Sequence, residues 1–121
     1  MNKIEGFEDL KVWQDGISIA VDIYSAFQKC NDFGLRDQIQ RSAVSIPSNI
    51  AEGFDRQTSN EFIRFLRVAK GSCGELRTQL IIAHKVGVIT DESFIERTKH
   101  LSAMIQKLIS YRTQLKENST K

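Results

Sequence analysis

The sequence predicts an all-α protein, an antiparallel up-down-up-down four-helix bundle, on three observations. Apolar residues return at three- and four-residue steps in four separate stretches, the period of a helix with one buried face. Between them stand turn formers and caps: Asn31-Asp32-Phe33-Gly34, Thr58, and Gly87 followed by Thr90 and Asp91. Pro47 is the only proline in 121 residues, which argues against a turn-rich sandwich, and no strand pattern competes for these stretches. Connections of about three to six residues make consecutive helices antiparallel neighbours. A chain of this length forms one domain over residues 1–121, with helices at about 7–30, 34–55, 58–87 and 90–117.

The first helix carries Leu10, Trp13, Ile17, Ala20, Tyr24 and Phe27 as its bundle-facing row, so its aromatics read as core. A second row, Val12, Ile19, Ile23 and Ala26, exceeds what one core needs and points to a subunit contact. Leu35, Ile39, Ala43, Ile46, Ile50 and Phe54 form the stripe of the second helix. The third shows Phe62, Leu66, Ala69, Cys73, Leu76, Leu80 and Ala83, entered through Thr58 with Glu61 three residues on, a capping-box spacing. Gly87 ends it, and Thr90 or Asp91 caps the fourth helix, whose row is Phe94, Thr98, Leu101, Ile105, Leu108, Arg112 and Leu115. Residues 118–121 are expected to fray.

Pro47 interrupts the second pattern. Within a helix it removes one backbone bond and costs about 3 kcal/mol, so the helix either kinks there or stops and restarts on Ser45 or Ser48. Around it runs a polar stripe: Gln38, Arg41, Ser45, Asn49, Glu52 and Arg56 follow at three- and four-residue steps. Arg64, Ser72, Glu75 and Gln79 repeat the device on the third helix, with small residues such as Gly53, Gly71 and Gly74 that let backbones come close. Unpaired polar groups are costly to bury, so Gln38, Arg41, Ser45, Asn49, Glu52, Ser72, Glu75 and Gln79 either pair with one another or face a ligand. Arg41 and Arg64 are the expected partners of Glu52 and Glu75, with Arg56 joining the internal set.

Composition excludes several function classes. No apolar run approaches the roughly 20 residues that span a bilayer, and Met1-Asn2-Lys3-Ile4-Glu5-Gly6 lacks a signal-peptide stretch. Two cysteines are too few for a disulfide framework, so a cytoplasmic setting with reduced thiols follows. A di-iron bundle requires Glu-x-x-His pairs, but Ile81 and Arg97 stand three residues before His84 and His100. Gly71-Ser72-Cys73-Gly74 lacks the lysine and spacing of a phosphate loop. No metal or cofactor is expected. Glu52 or Glu75 as a buried base would lack a nucleophile and an oxyanion partner, so the chain reads as no enzyme.

Net charge is only +2, but it is unevenly spread. The first helix is acidic, through Glu8, Asp9, Asp15 and Asp22. Residues 58–87 and 107–121 are basic. Such polarity orients subunits head to tail, marks a nucleic-acid face, or simply solvates helix faces. Arg64, Arg67, Lys70 and Arg77 on the third helix, with Lys107, Arg112 and Lys116 on the fourth, are the candidate phosphate contacts.

Two runs carry a resemblance: Ser45-Ile46-Pro47-Ser48-Asn49-Ile50-Ala51-Glu52-Gly53, and Phe65-Leu66-Arg67-Val68-Ala69-Lys70-Gly71-Ser72-Cys73-Gly74-Glu75-Leu76. With Phe7-Glu8-Asp9-Leu10-Lys11-Val12-Trp13 and Leu35-Arg36-Asp37-Gln38-Ile39-Gln40-Arg41, they resemble the four-helix bundle proteins of the 23S rRNA intervening sequence over residues 7–115. The resemblance implies one four-helix bundle, commonly a homopentameric ring. It is also similar to an accessory subunit of diversity-generating retroelements that binds nucleic acid and a reverse transcriptase. Its signature positions fall on Gln38, Arg41, Asn49, Glu52, Gly53, Gly71, Ser72, Glu75 and Gln79. The function expected is therefore non-enzymatic RNA or DNA binding by a ring-shaped homo-oligomer. The alternative is a protein-interaction module whose first helix docks a partner protein.

Overall fold

The computed structural model describes residues 3–119. A 3-10 turn at Phe7–Asp9 is followed by four helices, α1 (Lys11–Ala26), α2 (Phe33–Asp55), α3 (Ser59–Lys85) and α4 (Ser93–Ser119), with no strand among the described residues. The first expected helix is thus divided: Leu10 is extended, and the helix proper starts at Lys11 and ends at Ala26. Residues 120 and 121, half of the tail expected to fray, lie outside the described residues, while Asn118 and Ser119 are helical.

Each helix end follows from its sequence. The Asp32 side chain accepts the Leu35 N–H at 3.1 Å to open α2, and Thr58 Oγ1 accepts the Glu61 N–H at 3.2 Å to open α3. Gly87 closes α3 at φ +83, where the Val88 N–H reaches Ala83 O (2.8 Å) and the Gly87 N–H reaches His84 O (3.2 Å). Those two bonds are the paired closure of a helix that ends on a left-handed residue. Asp91, one of the two expected caps, accepts the Ser93 N–H and hydroxyl, and both bonds hold its carboxyl below the usual carboxylate range.

Helix α1 touches α2 and α4, α2 touches α3, and α3 touches α4, whereas the pairs α1–α3 and α2–α4 do not meet. The helices therefore stand at four corners around one core. The stripes of α2 and α3 supply it as expected: Ile39, Ala43, Ile46 and Ile50 face Leu66, Ala69, Cys73, Leu76 and Leu80, all buried. On α4 the row holds through Phe94, Thr98, Leu101 and Ile105, then Ile109 replaces Leu115 as the last buried residue. Thr98 satisfies its buried hydroxyl on Phe94 O at 2.7 Å.

Helix α1 corrects the reading of its two rows. Val12, Ile19 and Ile23 are the core residues, while Ile17 and Tyr24 (49% exposed) lie outward and Trp13 is half-buried. Of the expected core aromatics only Phe27 is enclosed. The reason is Gly16, which continues the Val12–Ile19–Ile23 row. A Cβ there would stand 3.3 Å from Cδ of Pro47, so the bare backbone of Gly16 seats the proline ring and turns that row inward. Pro47 itself is buried inside an α2 that runs unbroken from Phe33 to Asp55, so the helix does not restart at Ser45 or Ser48. Ser45 Oγ donates to Ser42 O (2.7 Å) and Asn49 Nδ2 to Ser45 O (2.8 Å), two side-chain donors on carbonyls around the proline.

Candidate functional site

The polar stripe of α2 and α3 does not close into a network within the chain. Glu52 and Arg56 pair along one helix face at 2.8 Å, both about half exposed. Arg64 binds Glu61 at 2.7 Å rather than Glu52 or Glu75. Arg41, Gln38 and Glu75 are exposed and have no hydrogen bond or ion pair among the described residues. Ser45 and Asn49 bond only to backbone of their own helix, and Ser72 is buried. Gln79 is half-buried with its Oε1 enclosed and without a donor. The expected pairs of Arg41 or Arg64 with Glu52 or Glu75 are therefore absent: Arg64 and Glu52 take partners three or four residues away on their own helices, while Arg41 and Glu75 take none among the described residues.

At the α2–α3 corner, arginines meet acids in equal number. Arg56 reaches Glu52 and, at 4.0 Å, Glu61; Arg64 reaches Glu61; both guanidinium groups lie over the Phe65 ring, at 5.2 and 4.4 Å from its centre. The Arg64 hydrogen bond holds the Glu61 carboxyl below its ordinary range and raises Arg64 reciprocally. These groups are solvent-exposed, so the pair adds little to stability. Arg64, a candidate phosphate contact, is already neutralised. Arg112 is also engaged, 4.9 Å over Phe62 in a hollow shared with Phe54, Gln57 and Thr58. Gln57 there has φ 70, a left-handed geometry unusual for a residue with a side chain.

The other flank of α3 differs. Arg67, Lys70, Gly74 and Arg77 follow at steps of three and four, forming one line along the helix. Lys70 Nζ donates to Gln106 Oε1 at 2.7 Å, which places that line beside α4. Among the described residues no carboxylate pairs with Arg67, Lys70, Arg77 or Lys107, and a Cβ on Gly74 would meet nothing within 4 Å; Lys107, seven residues after His100, stands on another face of α4. Lys116 lies exposed near the end of α4. Lys99 belongs here too: it stands two turns before Gln106 and so shares its face. Local charge in the sequence does not single it out; the signal is its seven-residue spacing to Gln106, which acquires meaning through the contact of Gln106 with Lys70.

A cleft of about 370 Å³ lies between α1 and α4, lined by Lys11, Asp15, Ser18, Arg97, His100 and Met104. Its cations are spoken for, Lys11 by Asp15 at 2.7 Å and Arg97 by Asp22 at 2.9 Å, so it offers an anion no net charge. Among the described residues no group of three His, Cys, Asp or Glu side chains could hold a metal ion. No described helix is long and apolar enough to cross a membrane.

Cys73 sits in the core, and burial pushes its thiol up to about 12. The unfolded chain would ionise that thiol near its ordinary value of about 8.5, while the folded chain keeps the proton. Stability is therefore fully present below that value and falls as pH rises towards 12, by at most about 1.4 kcal/mol per pH unit. Denaturation in urea from pH 8 to 11 is expected to show a smaller decline for Cys73→Ala than for the parent. Equal declines would remove this thiol as a source.

The fold and this surface define a small four-helix protein with one unneutralised basic flank. A family profile, 23S rRNA-intervening sequence protein, matches residues 8–110, and the chain belongs to that family. No curated protein matches it. Among solved structures it is similar to a protein of unknown function from the S23 ribosomal protein family of Bacteroides thetaiotaomicron VPI-5482. That similarity has a TM-score of 0.76 and 26% identity, and covers 81% of this chain and 97% of the other.

Proposed function

We propose that this protein is a non-enzymatic, cytoplasmic RNA- or DNA-binding bundle of up-down-up-down topology that works as a ring-shaped homo-oligomer, a pentamer on the family resemblance. The observation that carries the reading is the division among its cations. Arg56, Arg64, Lys11 and Arg97 are neutralised by carboxylates, whereas Arg67, Lys70, Arg77 and Lys99 gather along the α3–α4 side with none among the described residues. A helix surface that leaves its positive charges uncompensated fits a polyanion. Repetition around a ring turns a modest net charge of +2 per chain into a substantial field. The family and its neighbour both take their names from ribosomal components, which makes structured RNA the first ligand to try.

The test is binding of the size-fractionated oligomer to labelled structured RNA and duplex DNA across a salt series. Submicromolar affinity with a steep negative slope of log affinity against log salt is expected. Absence of binding even at low salt would end the nucleic-acid reading. The second reading, a protein-interaction module, is favoured by the exposed apolar residues Ile17, Val21, Tyr24 and Val44. Pull-down from cell extract with and without nuclease separates the two, since docking on apolar surface survives both nuclease and salt.

A further inference from the structure

Helix α3 shows solvent a face that a surface helix does not ordinarily carry. Val68, Gly71, Glu75, Thr78 and Ile82 follow at three- and four-residue steps and form one ridge. Val68 is 44% and Ile82 47% exposed. Glycine weakens a helix interior relative to alanine, yet a Cβ at Gly71 would meet nothing within 4 Å, so nothing in the chain uses the space it leaves. Glu75 is the ridge's only charge, and it has no partner among the described residues.

The α1–α2 side has the opposite shape. Trp13 and Ile17 of α1 with Val44 and Pro47 of α2 line an apolar hollow of about 290 Å³. It continues into a second hollow through Val44, where Tyr24 and Arg41 stand on the wall. Arg41 is exposed and has no partner among the described residues, the counterpart in charge of Glu75. Successive turns of α1 therefore supply a row, Trp13, Ile17, Ala20 and Tyr24, in which Ala20 belongs to the core, Trp13 is half-buried against it, and Ile17 and Tyr24 are left exposed.

We propose that the α1–α2 groove of one copy receives the α3 ridge of a second copy, with Arg41 of the first facing Glu75 of the second. This rests on the ring reading and gives the ring its joint. A helix laid into an apolar groove is anchored by residues that recur on one face, and Val68 and Ile82, with Glu75 midway between them, recur every seven residues. Gly71 and Thr78 keep the ridge low, so the two backbones approach. Groove and ridge are different surfaces, so the contact is head to tail: each copy offers one of each, the kind of contact that builds a ring when the rotation between copies closes. Arg67, Lys70 and Arg77 lie on another line of α3 and stay uncovered.

The experiment is light scattering behind size exclusion over a concentration series, for the full chain and for Arg41→Glu, Glu75→Arg, both together, and Gly71→Gln. Circular dichroism confirms helix content in each. Each single reversal is expected to weaken assembly at least about tenfold by placing like charges together, and the double reversal to restore it. Gly71→Gln should retain or gain thermal stability while losing assembly, because glutamine suits an exposed helix and fills the approach. If the parent assembles and the single reversals assemble equally well, or the double fails to recover, the joint is wrong and the ring reading survives. A parent that stays monomeric throughout overturns both.

Discussion

Replacing Gly53 with alanine is expected to destabilise the protein by about 1–3 kcal/mol, towards the upper end, and to lower its melting temperature by roughly 4 °C per kcal/mol. Gly53 is buried on α2, and a Cβ there would collide with Cβ of Phe65 on α3 and press against the Phe62 ring. The colliding atom is fixed to the α3 backbone, so no rotamer change relieves it and the helices must part. Parting them opens the seam that holds Phe54 edge-on to Phe62, with ring centres 5.7 Å apart, and the Arg56 contacts to Glu61 and Phe65. Gly74→Ala provides the control on the same pair of helices. It meets nothing within 4 Å and should stabilise the chain by up to about 1 kcal/mol. Equal melting temperatures for Gly53→Ala and the parent would show that the α2–α3 seam yields to a methyl group without loss of packing.

That contrast also marks what was legible in the sequence. The core rows of α2 and α3 could be read because every inward position bears an apolar side chain, so periodicity alone selects the face. Helix α1 could not be read that way. It has two apolar rows of similar weight, and the one that faces the core was decided by Gly16, a residue with no side chain to count. Among the glycines, spacing gave Gly53, Gly71 and Gly74 the same role, close helix packing. Only Gly53 has it within the chain, while Gly71 and Gly74 face open space.

The polar residues were harder still. A stripe states which residues share a face but not which charge takes which partner. Glu61 on α3, absent from the stripe, captured Arg64 and shares Arg56 with Glu52, so the positions singled out as a network were left largely without one another. The basic side was legible at Arg67, Lys70 and Arg77, whose spacing is regular. It was not legible at Lys99, whose place depends on a contact between helices far apart in sequence.

Reversing Arg67, Lys70 and Arg77 together to glutamate is expected to abolish nucleic-acid binding at physiological salt. Each cation that neutralises a phosphate releases a condensed counterion, so each lost contact lowers the salt slope by about 1. The largest residual affinity should therefore appear only at low salt. Among the described residues none of the three pairs with a carboxylate, and Arg67 and Arg77 lie on the surface, so removing their charge costs the fold little. Lys70 gives up one hydrogen bond to Gln106, and Lys70→Gln checks that loss separately because it removes charge without adding an acid. Arg64→Glu is the comparison that assigns the effect to place rather than to net charge. Arg64 is already bound to Glu61, so its loss should change affinity and slope far less than the loss of Arg67, although the formal charge change is identical. If the two reversals weaken binding equally, the ligand responds to total charge and the α3–α4 flank is not its site.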